Sequence, residues 1–232
     1  ITKYTLSGDR IEEQAILSPR SFIELTTTDN LAGVAKTMYD FDGGNAQKYT
    51  RKVAVSSLSD GEHSFTFLAT DQVENEEIAQ KYDFYLDKTV PVITSEIEGD
   101  LYQKSGVSYI SERSKIKLTS TDNKAGVKST FYLIDGTSTT EYSAPFLLQK
   151  SQGRHQVSYY GVDKVENKGT AKTDGTMKSL YLDLTAPKIS ISFEGDKFTT
   201  RDTLFINGET KVNINSLDGQ SGVQHIKYVL DG

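Results

Sequence analysis

The sequence has no cysteine and no tryptophan, and only three histidines, two methionines and four prolines in 232 residues. Without cysteine the fold has neither disulfides nor thiolate metal ligands. An extracellular eukaryotic module of this size would often carry disulfides, whereas a cysteine-free chain fits bacterial surface proteins and cytosolic proteins alike. No apolar run approaches the roughly 18 residues that a membrane helix needs, so no direct membrane span is expected. The net charge of −6 leaves no basic stripe with which to displace counterions from phosphates, and nucleic acid is not an expected partner. The missing tryptophan also argues against a planar sugar-binding platform, although 13 tyrosines could still stack on sugar rings.

What the sequence does have is a phrase said three times. "LTTTDNLAGVAKTMYDFDG" at 25–43 returns as "LTSTDNKAGVKSTFYLIDG" at 118–136 and as "INSLDGQSGVQHIKYVLDG" at 214–232. Asp29, Asp122 and Asp218 each precede a glycine by four residues, and a second aspartate (Asp42, Asp135, Asp231) by thirteen. The glycine turns around Gly8, Gly99 and Gly195 match upstream. Downstream, "GEHSFTFLATDQVEN" matches "GRHQVSYYGVDKVEN", and "YLDKTVP" matches "YLDLTAP". The unit is about 93 to 96 residues, which predicts domains at 1–91, 92–187 and, cut near its middle, 188–232. The third unit stops before its later strands, so the native polypeptide is expected to continue past Gly232.

Within a unit the hydrophobic period is two, as in a strand with one face buried. Ile23 and Leu25 alternate in this way, as do Ile116 and Leu118, and Val212 and Ile214. After the Asp-to-Gly turn a second alternating run follows: Thr37, Tyr39 and Phe41, then Thr130, Tyr132 and Ile134, then Ile226, Tyr228 and Leu230. Further strands are marked by Phe65, Phe67 and Ala69 and by Phe84 and Leu86, with counterparts in the second unit. Tyr39, Tyr132 and Tyr228 read as one inward position, and Tyr109, aligned with Ile16 and Phe205, reads as another. No segment carries a helical stripe. Six or seven short antiparallel strands per unit predict an all-β chain of tandem immunoglobulin-like sandwiches, two complete and the third partial.

These residues resemble the bacterial Ig-like repeats of secreted and cell-surface proteins. The resemblance rests on the D-x-x-x-G-V turns at 29–34 and 122–127, the G-x-H strands leading to D-x-x-x-N at 63–75 and 155–167, and the D-x-T-x-P linkers at 87–91 and 183–187. It spans essentially the whole chain. It implies an extracellular or cell-surface location, with the periplasmic side of the envelope as the alternative. It also implies a role as stalk, spacer, adhesin segment or accessory module of a glycan enzyme, with other domains of the same polypeptide, a surface protein or a glycan as partners.

Catalysis is not expected: there is no G-x-S-x-G elbow, P-loop or dinucleotide fingerprint, and each acidic position is duplicated by the repeat. His63 and His155 recur in phase and read as structural, since no zinc-ligand spacing accompanies them. The acidic turns carry the sharper expectation. In an Ig-like sandwich the B-to-C and F-to-G loops sit at the end where the chain enters. Asp122, Asp163 and Asn167 should therefore approach Asp87 of the linker, and Asp218 should approach Asp183. Calcium takes six to eight oxygens of this kind, and the family resemblance implies calcium at such junctions. The alternative is that these aspartates only bond the backbone of their own turns. The function expected is a non-enzymatic spacer or adhesin-type segment rigidified by calcium. The alternatives are a carbohydrate-binding accessory module and a docked subunit of an outer-membrane complex.

Overall fold

A computed structural model describes residues 1–230. The chain divides into two compact units: residues 1–95, 118–144 and 158–173 form the first, and residues 96–117, 145–157 and 174–230 the second.

The first unit holds a complete sandwich. One sheet joins β1 (Thr2–Ser7), β4 (Phe22–Thr27) and β7 (Val53–Ala54). The other comprises β2 (Arg10–Ile11), β3 (Ile16–Leu17), β5 (Val34–Phe41), β6 (Gln47–Lys48), β8 (Gly61–Asp71) and β9 (Gln80–Leu86), in the order β2-β3-β9-β8-β5-β6. The period-two residues point where expected: Ile23, Leu25, Phe65, Phe67, Phe84 and Leu86 are buried in one cluster with Leu17 and Val55. Tyr39 and Phe41 lie partly buried at its edge. The expected pairing is corrected at one place, because β3 runs parallel to β9, with Ile16 opposite Tyr85 and Leu17 opposite Leu86. The chain crosses from one sheet to the other between β3 and β4, so an otherwise antiparallel fold carries one parallel rung.

A glycine is required before that crossing. Gly8 has φ +93°, and a Cβ there would lie 2.5 Å from the Arg20 carbonyl oxygen; Gly99 and Gly195 share the positive φ, so the matching glycine of each repeat makes the same turn.

The second repeat reproduces these strands in order. They are β10 (Val92–Glu98), β11 (Leu101–Lys104), β12 (Val107–Ile110), β13 (Lys115–Thr121), β14 (Val127–Ile134), β15 (Thr140–Glu141), β16 (Phe146–Leu147), β17 (Gly153–His155), β18 (Val157–Asp163) and β19 (Leu180–Leu182). Strands β14, β15 and β18 pair in the first unit, whereas β11, β12, β19 and β17 form a sheet of the second. The parallel rung recurs there, with Tyr109 opposite Tyr181.

The third repeat contributes two ladders to the second unit. Strand β20 (Lys188–Glu194) pairs with β23 (Lys211–Leu217), and β21 (Lys197–Thr200) with β22 (Thr203–Ile206). The strand expected through Ile226, Tyr228 and Leu230 does not form, and Tyr228 is 70% exposed. Its counterpart β5 is held by hydrogen bonds to β8. Asp231 lies outside the described residues.

Both recurring histidines brace hairpins. His63 Nε2 donates to the Ser59 carbonyl at 3.0 Å while Nδ1 faces Asp42 Oδ2 at 2.8 Å, and His155 Nε2 donates to the Ser151 carbonyl at 2.8 Å.

Candidate functional site

The expected acidic junction forms, and all its members belong to the first unit. Asp87, Asp122 and Asp163 each bring one carboxylate oxygen within 4.8 Å of the others. Asp87 follows β9, Asp122 lies in the turn between β13 and β14, and Asp163 ends β18. Asp87 and Asp163 are wholly buried.

Local turn chemistry sets each side chain. Asp122 Oδ1 accepts from the amides of Lys124 (3.2 Å) and Gly126 (2.8 Å), which is the Asx-type bonding expected of an aspartate before a glycine turn. Asp163 Oδ1 accepts from the amides of Val165 (2.9 Å) and Asn167 (2.7 Å). Asp87 Oδ1 accepts from the hydroxyl of Thr89 (2.8 Å), and its Oδ2 reaches the next repeat, accepting from the Ala125 amide at 2.9 Å.

The two sequence readings are therefore not exclusive. The turn bonds use one oxygen of Asp122, and the other, Oδ2, is buried without a hydrogen-bond partner. Such an orphan is costly: a buried, unsatisfied carboxylate oxygen carries the full penalty of losing its water. Burial also pushes the Asp163 carboxyl above its ordinary range against the hydrogen bonds of Asn167 and Val165, and the Asp87 charge adds to the rise. The site concentrates negative charge where water does not relieve it, and a hard divalent cation is the group that such a donor set suits.

Asn167 has a different place. Its Nδ2 donates to Asp163 Oδ2 (2.8 Å) and to the Asp87 carbonyl (2.8 Å), while its Oδ1 accepts from Arg20 at 3.4 Å. The amide is a bridge between the repeats, and its oxygen faces the arginine.

At the second junction the same bonds reappear. Asp183 Oδ1 accepts from the Thr185 hydroxyl (2.8 Å) and its Oδ2 from the Ser221 amide (3.1 Å), while Asp218 Oδ1 caps Gly222 at 2.8 Å. Ser221 stands where Ala125 does. The sequence has no counterpart of Asp163 in the third repeat, and among the described residues only the first junction gathers three carboxylates.

The apolar part of the junction is what sequence reasoning missed. Ile16, read as sandwich core, is 1% exposed, but it is covered by Ala125 and Val165 of the second repeat, with Ile11 and Tyr85 beside it. Lys124 Nζ sits 4.4 Å from the Tyr85 ring centre. Arg20 donates from Nη2 to the Val165 carbonyl at 2.5 Å and pairs with Asp9 at 2.6 Å. Pro91 packs on β18 so closely that a Cβ on Gly161 would lie 2.7 Å from the proline's Cβ, whereas the matching strand of the first repeat carries Ala69. The signal that was present is the valine in "DKVEN", an apolar residue inside an otherwise polar turn.

The model of the bacterial Ig-like domain, group 3, matches residues 47–144. That span is about one repeat long and starts within the first repeat, as a match to a tandem array can. The fibronectin(III)-like modules of Clostridium thermocellum CbhA align at 14% identity with a TM-score of 0.37, covering 78% of this chain and 94% of that one. Comparison with curated proteins gave no match. Over residues 47–144, less than half of its length, the chain is similar to the bacterial Ig-like domain, group 3.

Proposed function

We propose that this chain is a non-enzymatic spacer or adhesin-type segment of a larger extracytoplasmic bacterial protein, and that calcium stiffens the junction at Asp87, Asp122 and Asp163. No described helix is long and apolar enough to cross a membrane, and bacterial Ig-like domains typically work outside the cytoplasm. The observation that carries the calcium reading is the buried, unpartnered Oδ2 of Asp122 beside two wholly buried carboxylates. Bound there, the ion would offset two of the three negative charges and join Asp87 of one repeat to Asp122 and Asp163 of the next. Backbone carbonyls and water would complete its oxygen shell.

A ligand that binds only the folded state raises stability by about 2.7 kcal/mol at a hundred times its dissociation constant. Calcium should therefore raise the melting temperature of the intact chain. Asp122→Asn, which keeps the oxygen that caps Gly126, should abolish most of that rise. Calorimetry with neither heat nor thermal shift at millimolar calcium would overturn the calcium reading.

A further inference from the structure

The first repeat presents a second copy of the surface that the second repeat uses to dock. In the second repeat, that surface is the pair of turns at 122–127 and 163–167. The matching turns, 29–34 and 71–75, carry the same internal bonds but for the one that Asp122 accepts from the Lys124 amide. Asp29 Oδ2 accepts from the Gly33 amide at 2.6 Å, as Asp122 accepts from Gly126. Asp71 Oδ1 accepts from the amides of Val73 (2.9 Å) and Asn75 (2.8 Å), as Asp163 does from Val165 and Asn167. Asn75 Nδ2 donates to Asp71 Oδ2 at 2.7 Å, and the Gln72 amide donates to the Gly33 carbonyl at 3.0 Å, as Lys164 does to Gly126. The shape is built before anything is bound to it, so little ordering remains to oppose association.

The two copies differ in what covers them. Val165 is wholly buried, while Val73 is 66% exposed; Leu31, at the place of Lys124, is 91% exposed. Ala125 gives its amide to Asp87 and Asn167 its second N–H to the Asp87 carbonyl. Among the described residues Ala32 and Asn75 make no corresponding bonds. Leucine in place of lysine makes the uncovered copy the more apolar of the two, and an exposed apolar patch rimmed by polar turns marks a contact surface.

We propose that the turns at 29–34 and 71–75 dock onto the end of another Ig-like repeat of this kind. The in-chain junction states the chemistry of that partner. It carries an aspartate of a D-x-T-x-P segment to accept from the Ala32 amide, a backbone carbonyl for Asn75, and a row like Ile11, Ile16 and Tyr85 to cover Val73 and Leu31. The seat that this chain carries at Ile11, Ile16 and Tyr85 is already filled by the second repeat, so the partner is a repeat with an open seat. The inference rests on the spacer reading but not on calcium, because the contacts it invokes are hydrogen bonds and apolar packing.

The test extends the full chain at its N-terminus by one extra copy of residues 1–91, which keeps the repeat phase, and follows amide hydrogen exchange with and without calcium. Ala32 should exchange at least about tenfold more slowly than in the unextended chain, as expected when an exposed amide gains a buried acceptor. Val73→Lys in the extended chain should remove that protection while Ala125 stays protected, which shows that the repeats remain folded. Protection in either buffer supports the proposal, so it can survive failure of the calcium reading. Ala32 exchanging equally fast in both chains, in both buffers, with Ala125 protected, would overturn it. Protection that rises with concentration in the unextended chain would show the same docking onto a repeat of a second copy, and would support the proposal equally.

Discussion

Asp42 and His63 show how a repeated pair of residues holds a hairpin. Asp42 sits at φ +56°, in the left-handed region, and its Oδ1 accepts from the Ser64 amide at 2.8 Å. Burial pushes the Asp42 carboxyl up, but the hydrogen bonds from the His63 ring and the Ser64 amide outweigh it and hold it below the ordinary 3.8. A carboxyl depressed in the folded state contributes stability above its unfolded value, and that contribution is lost as pH falls through the depressed one. Asp42→Asn should thus melt below the wild type at neutral pH, and the gap should shrink as pH drops below 3.8. Because the Asp42 side chain is about half exposed, the effect is that of a screened pair. A gap in melting temperature constant from pH 7 to pH 2.5 would show that the ionised carboxylate contributes nothing.

At the scale of elements, the junction works as a seat and a plug. Strand β3 turns Leu17 into its own sandwich and Ile16 out toward Val165, so one two-residue strand serves two cores. Truncating Ile16 or Val165 to alanine should cost about 1 to 4 kcal/mol each, since both are buried and leave cavities. The sharper measurement is the pair: Ile16→Ala and Val165→Ala should be non-additive by about 0.5 to 3 kcal/mol in chemical denaturation. Strict additivity would mean that the side chains do not share a contact. The seat was half legible in the sequence. Period two identified β3 as buried, but periodicity reports that a face is covered and not what covers it.

For the whole molecule, the same logic bears on the tyrosine row of the second unit. Tyr102, Tyr109 and Tyr181 lie side by side across β11, β12 and β19, with ring centres 6.2 and 5.3 Å apart. Such a row could stack on a glycan, yet it occupies the place of Ile11, Ile16 and Tyr85, which in the first repeat seat the following domain. If the row is a seat, affinity electrophoresis through polysaccharide gels should show no retardation of the intact chain. Retardation lost in Tyr102→Ala would instead favour the accessory-module reading. Phe198 and Phe205, the matching pair of the third repeat, stand 67% and 53% exposed.

The sequence by itself determined the repeat, its strands and their inward faces, and the aspartates that would meet at a junction. Those features are local or recur at fixed spacing, and a one-residue change of phase would turn every side chain over. Tertiary structure alone decided that β3 pairs parallel with β9, that Ile16 belongs to the junction, and that Asn167 bridges to the Asp87 carbonyl through its amide. It also decided that Asp122 keeps one oxygen buried and unpartnered, and that the turns of the first repeat are built alike and uncovered. Each of these depends on groups some 70 to 150 residues apart in the chain or on which atom of a side chain is already bonded. Spacing along a sequence records neither.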